Sequence, residues 1–70
     1  MRITYDQTAD ALYISFEETK VTTKHLADGI DADYDAQGKL AGIEILDAKK
    51  RFGDKNTLRK ITFEDLSPGH

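Results

Sequence analysis

From Arg2 to Leu46 apolar residues recur mostly at every second position, the period of a half-buried β-strand, in runs separated by turn-forming clusters. Arg2-Ile3-Thr4-Tyr5 alternates, Asp6-Gln7-Thr8-Ala9-Asp10 is turn-prone, and Leu12-Tyr13-Ile14-Ser15-Phe16 alternates again. These runs predict a hairpin with Ile3 and Tyr5 beside Leu12, Ile14 and Phe16, and with Tyr13 on the opposite face beside Arg2 and Thr4. Glu17-Glu18-Thr19-Lys20 connects to Val21-Thr22-Thr23-Lys24-His25-Leu26, a β-branched run. Neither of its faces is strongly apolar, which predicts an edge strand. Asp28-Gly29 then turns the chain into the stretch from Gly29 to Ala48. Ile30, Ala32 and Tyr34 precede a turn at Asp35-Ala36-Gln37-Gly38, and Leu40, Ile43, Ile45 and Leu46 follow it, the pattern of a second hairpin.

That hairpin sets a register problem. Asp35 suits the start of a type I turn and Gly38 its left-handed close, which places Asp35 opposite Lys39, Tyr34 opposite Leu40 and Ala32 opposite Gly42. Ile43 and Ile45 would then share a face with Asp31 and Asp33. One extra residue between Leu40 and Gly42 returns both isoleucines to the face of Ile30, Ala32 and Tyr34, and Gly42 is the natural place for such a bulge. Beyond it, Asp47 is an N-cap candidate, Ala48-Lys49-Lys50-Arg51-Phe52 carries cations near its end, and Gly53 is a stop, so a two-turn helix is expected. Asp54-Lys55-Asn56 reads as a loop. In the tail, Leu58, Ile61, Phe63 and Leu66 supply apolar side chains for docking. Ile61-Thr62-Phe63 favours extended structure, whereas Thr62 with Asp65 suits the cap of a short final turn, and the two readings stay open. Ser67-Pro68-Gly69-His70 is expected to fray. The fold class is therefore mainly β (α+β): a small antiparallel sheet of about four to five strands, with a short helix after the last hairpin and a docked C-terminal tail. Residues 1–48 form the β domain, and residues 49–70 a basic helix and tail packed on it.

Composition narrows the function classes. Seventy residues make one domain, and at this size a chain buries only about 60% of its unfolded surface, so oligomerisation is expected. The absence of cysteine excludes disulfides, thiolate metal sites and a Cys nucleophile. No run approaches a membrane span, and the N-terminus lacks the apolar core of a signal peptide, so a soluble cytoplasmic protein is expected. The net charge of −3 is unevenly spread: ten Asp/Glu against four Lys/Arg in residues 1–48, and three against six in residues 49–70. An acidic body disfavours nucleic acid, which needs cations to displace counterions, and suits a basic protein partner.

Candidate chemistry centres on the second hairpin. With the bulge in place, Asp31, Asp33 and Glu44 share the solvent face as a carboxylate patch, a surface for docking a partner or a device that keeps the sheet soluble. Asp33-Tyr34-Asp35-Ala36-Gln37-Gly38-Lys39-Leu40-Ala41-Gly42-Ile43-Glu44 also follows part of the calcium-loop pattern of an EF-hand, with Asp33, Asp35, Gln37 and Glu44 as ligands and Gly38 at the sharp turn. The flanking segments read as strands rather than the helices that motif needs, and Ala41 occupies a ligand place, so no metal is favoured. Paired-carboxylate catalysis needs a cleft that raises one pKa, and an open sheet face supplies none. With no nucleophile series, phosphate-cradling loop or histidine cluster, neither an enzyme nor a cofactor is expected. His25, without a neighbouring His or Cys, reads as a surface or hydrogen-bonded structural residue.

Tyr5-Asp6, Ala9-Asp10-Ala11-Leu12-Tyr13-Ile14, Asp28-Gly29, Asp33-Tyr34-Asp35 with Gly38 and Leu40, and Gly42-Ile43-Glu44-Ile45-Leu46 with Ala48 carry a family likeness. In these blocks and their spacing, from Ile3 to Ala48, the chain resembles the bacterial family catalogued as domain of unknown function 2283. The basic tail lies outside the pattern. The resemblance implies a small standalone protein and transfers no catalytic or binding residues. Some members look like partners of small toxin-like proteins in two-gene modules, which implies an antitoxin-like role. The expected function is thus a non-enzymatic protein-binding module acting through Asp31, Asp33 and Glu44. The alternatives are calcium binding at the hairpin and a homodimeric structural module.

Overall fold

The computed structural model describes residues 1–53 and 56–67. Five strands, β1 (Arg2–Asp6), β2 (Ala11–Ser15), β3 (Thr22–Ala27), β4 (Ile30–Tyr34) and β5 (Leu40–Ile45), are followed by a short helix, α1 (Ala48–Phe52), and a 3-10 turn at Thr57–Arg59. The strands form one antiparallel sheet in the order β1-β2-β5-β4-β3. Hairpins join β1 to β2, β3 to β4 and β4 to β5. The 16–21 connection instead carries the chain from β2 across the sheet end to the far edge, so β5 returns to pair with β2. The expected edge strand, β3, is at an edge, and all its residues are exposed.

Residues opposite each other on neighbouring strands share a face. The register puts Ile3, Tyr5, Leu12, Ile14, Ile43, Ile45, Ile30, Ala32, Tyr34 and Leu40 on one side. Arg2, Thr4, Tyr13, Glu44, Asp31, Asp33, Thr23 and His25 lie on the other. This division depends on the bulge. Tyr34 pairs with Leu40 while Asp33 pairs with Gly42, so Ala41 is the extra residue and the isoleucines of β5 turn inward as the alternation requires. The 35–39 turn has the expected chemistry: Asp35 N–H donates to the Lys39 carbonyl (2.9 Å), Gly38 N–H donates to the Asp35 carbonyl (3.0 Å), and Gly38 has φ 81°.

The helix forms where expected, but its cap does not. Asp47 occupies the N-cap position in a left-handed conformation (φ 53°) and makes no side-chain cap hydrogen bond. The cap comes instead from Asp10 in the β1–β2 turn, itself left-handed at φ 52°. Its carbonyl accepts from Ala48 N–H (3.0 Å), and its carboxylate accepts from Lys49 N–H (2.9 Å) and from the Tyr5 hydroxyl (2.6 Å). At the other side of α1, Arg51 donates from Nε to the Leu46 carbonyl (2.8 Å) and from Nη2 to the Asp28 carbonyl. The helix is thereby tied to β1, to both turns at that end of the sheet and to the end of β5. Gly29 has φ 73°, and the Arg51 guanidinium occupies the space a Cβ would need there.

The apolar face is only partly covered. Phe52, Leu58 and Ile61 gather over Leu12, and Phe63 adjoins Met1 and Ile3 at the β1 edge. The tail beyond the 3-10 turn forms neither a strand nor a final helical turn in residues 60–67; Asp65 instead accepts the Ser67 N–H (2.9 Å). Among the described residues the buried hydrophobic set is Leu12, Ala32, Ala41 and Ala48, and no large side chain is fully buried. The frayed end expected at Pro68-Gly69-His70, and Asp54-Lys55 of the expected loop, lie outside the described residues. Among those described, no helix is long and apolar enough to cross a membrane.

Candidate functional site

The polar face carries a connected set of side chains at its centre. Tyr13, on β2, stands directly opposite Glu44 on β5 but reaches diagonally across Gly42 to β4, where its hydroxyl donates to Asp33 Oδ2 (2.6 Å). A Cβ at Gly42 would collide with the Tyr13 hydroxyl and press on its ring. Gly42 therefore makes room for the ring, while the bulge expected at Gly42 falls one residue earlier, at Ala41, because Gly42 keeps its pairing with Asp33. From the edge strand, Thr23 donates to the other Asp33 oxygen, Oδ1 (2.5 Å). Asp33 thus accepts one hydroxyl on each oxygen and links three strands. This hydrogen bond, followed by burial and the negative charge of Asp33, holds the Tyr13 hydroxyl above the ordinary tyrosine pKa.

One register step away, His25 Nδ1 lies 3.0 Å from Asp31 Oδ1, and Asp31 faces Glu44 directly across the β4–β5 pair. Like charges opposite each other on a sheet face repel. His25 engages only the Asp31 side of the pair, and its side chain is well exposed. Among the described residues, no hydrogen bond or ion pair engages the Glu44 carboxylate. The structure therefore brings Asp31, Asp33 and Glu44 onto one face but gives them unequal freedom. Asp33 is committed to the sheet, Asp31 leans on His25, and Glu44 is open.

The hairpin spreads the four oxygen donors of the calcium-loop pattern over different surroundings. Asp33 is taken by two hydroxyls, and Asp35 Oδ1 accepts the backbone N–H groups of Gln37 and Lys39 (2.9 Å each). Glu44 stands opposite Asp31 rather than Asp33. No group of three or more His, Asp or Glu among the described residues is arranged to hold a metal. Clefts open elsewhere, around Leu12 and Phe52, beside Val21 and Asp35, and between Met1 and Phe63. What the polar face can do chemically is present fixed negative charge, with an aromatic ring between, to a cation.

The carboxylates are legible in the sequence, but their partners are not. Tyr13 was legible as a residue of this face, and a glycine on the neighbouring strand is the signal that a ring lies across it. Thr23 carried no such signal, because its register against Asp33 depends on the β3–β4 pairing. The Asp10 and Arg51 clamps were also missed. A family model described as Protein of unknown function (DUF2283) matches residues 2–49. No curated protein and no solved structure matches the chain.

Proposed function

Because the chain belongs to the DUF2283 family of proteins of unknown function, we propose a role for it from its own surfaces: a non-enzymatic protein-binding module, antitoxin-like, that docks a basic partner on the face of Asp31, Asp33 and Glu44. The observation that carries this reading is the Asp31–Glu44 pair. Two carboxylates are held opposite each other on a sheet stiffened by the Tyr13–Asp33–Thr23 bonds. An arginine or lysine entering between them would meet two carboxylates from facing register positions, so charge complementarity favours a basic partner. The preorganised sheet also lowers the ordering cost of association. Asp33 acts in this scheme by positioning Tyr13, and Asp31 and Glu44 meet the partner.

The test is a pull-down from the protein's own cells at low ionic strength, with the Asp31→Asn/Glu44→Gln double variant alongside. A stoichiometric basic protein should be retained by the unaltered chain, be released by salt and be lost from the variant. Capture of nothing stoichiometric, or equal capture by the variant, rejects the reading. Calcium binding at Asp33, Asp35, Gln37 and Glu44 is measured separately. If it occurs, calcium raises the melting temperature by mass action, and Glu44→Gln removes the rise.

A further inference from the structure

The side of the sheet away from the carboxylates has its own unmet need. A compact folded monomer of this mass exposes on the order of 4,400 Å², whereas this chain exposes 5564 Å². The excess, roughly 1,150 Å², exceeds the about 800 Å² that each partner buries in a standard interface, and is the size found in stable dimers. Shape agrees with area. The radius of gyration is 13.8 Å and the extents are 36 × 33 × 19 Å, against about 11 Å expected for a compact chain of this length. The molecule is a slab, one sheet thick, whose apolar side is covered by helix and tail chiefly toward Leu12 and Ile3.

The uncovered part has a definite place. At the end of the sheet bearing the 35–39 turn, Leu40 is 42% exposed, with Phe16 and Val21 at 38% and 39% beside the neighbouring connection. Ile14, Ile43 and Tyr34 are only half-buried on the same face. The face carries a single charged side chain from its strands, Lys24, which stands at the β3 edge with its ammonium 5.6 Å from the Tyr34 ring centre. In the tail, Phe63 and Leu66 are 84% and 82% exposed.

We propose that this apolar face packs against the same face of a second copy of the chain, forming a two-layer sandwich with both carboxylate faces turned outward. A twisted sheet face whose one strand charge, Lys24, lies at the β3 edge is matched by another sheet about 10 Å away with strands aligned to within about 30°, and an identical copy supplies one of equal size. A two-fold axis makes such a contact self-complementary and closed, so it stops at the dimer. Leu40 and Ile43 sit at the centre of the contact, and Phe63 joins its rim from the tail.

Sedimentation equilibrium on the full chain is the direct test, with mixed isotope-labelled samples reporting contacts between copies. The expected mass is twice the chain's 7.9 kDa, persisting at a concentration on the order of 10 μM, with intermolecular contacts between Leu40 and Ile43 methyl groups. Leu40→Lys should weaken the dimer by about tenfold or more. Because Leu40 is already exposed, that variant keeps its sheet, which circular dichroism checks. Asp31→Asn, on the opposite face, should leave the dissociation constant within about twofold. A cooperatively folded monomer at on the order of 200 μM overturns the proposal. So does a dimer indifferent to Leu40→Lys and lacking contacts between Leu40 and Ile43. Loss of basic-partner capture in the pull-down leaves this result unchanged, since the two readings use opposite faces.

Discussion

Gly42 shows what one missing side chain can make possible. It follows the bulge residue that turns Ile43 and Ile45 inward, and it leaves room for the Tyr13 ring on its way to Asp33. Gly42→Ala is expected to push the phenol off the carboxylate and to destabilise the fold by about 1–3 kcal/mol, measured by urea unfolding. The cost should shrink in a Tyr13→Val background, giving a coupling of about 0.5 kcal/mol or more in the double-mutant cycle. The tyrosines also carry a pH signature. Hydrogen bonds to Asp33 and Asp10 raise the pKa values of Tyr13 and Tyr5 above the ordinary 10.0. Each therefore contributes stability that is full below that value and is lost as pH rises through the higher folded one. Ultraviolet titration should show Tyr13 ionising late, and Asp33→Asn should bring its transition down.

At the scale of elements, the question is what keeps a five-residue helix folded. Isolated, such a segment has no stability in water, so α1 exists because Asp10 and Arg51 hold its two sides. Arg51→Lys keeps the charge but loses the fork to Leu46 and Asp28. It should cost about 1–2 kcal/mol and raise amide exchange across Ala48–Phe52. Asp10 has a pKa lowered first by the Tyr5 hydrogen bond and next by the Lys49 N–H. Its contribution is present above the ordinary 3.8 and disappears as pH falls through the lower folded value. Acid unfolding of Asp10→Asn should accordingly lose the part of its pH dependence that sets in as pH falls below the ordinary 3.8. The strands were legible because each alternates locally, and the bulge because Ile43 and Ile45 had to face inward. The helix cap was not, since Asp47 is well placed in sequence while the carboxylate that accepts the Lys49 N–H, that of Asp10, lies 39 positions away. The tail was ambiguous because Ile61 and Phe63 have extended propensity but gain no strand partner. The acidic face was readable from the pleat alone, whereas its division into a committed Asp33 and an open Glu44 required knowing where Tyr13 and Thr23 reach.

For the whole molecule, the two sides of the slab set different dependences. Docking of a basic partner on the carboxylate side, as proposed, would be electrostatic, so its affinity should fall by about tenfold or more as ionic strength rises from 0.05 to 0.3 M, measured with the captured partner. Association through the apolar side should hold or strengthen over the same range. Strand order adds a temporal consequence. β1–β2 and β3–β4–β5 are each built from neighbours in sequence, but β2 meets β5 through pairs such as Leu12 with Ile45, roughly thirty positions apart. The two blocks can form early and separately, and the native protein begins when they zip together along that junction. Tyr13, which spans it to Asp33, then acts as a latch: its loss should speed unfolding more than it slows refolding, and stopped-flow chevrons of Tyr13→Val would show the change chiefly in the unfolding arm.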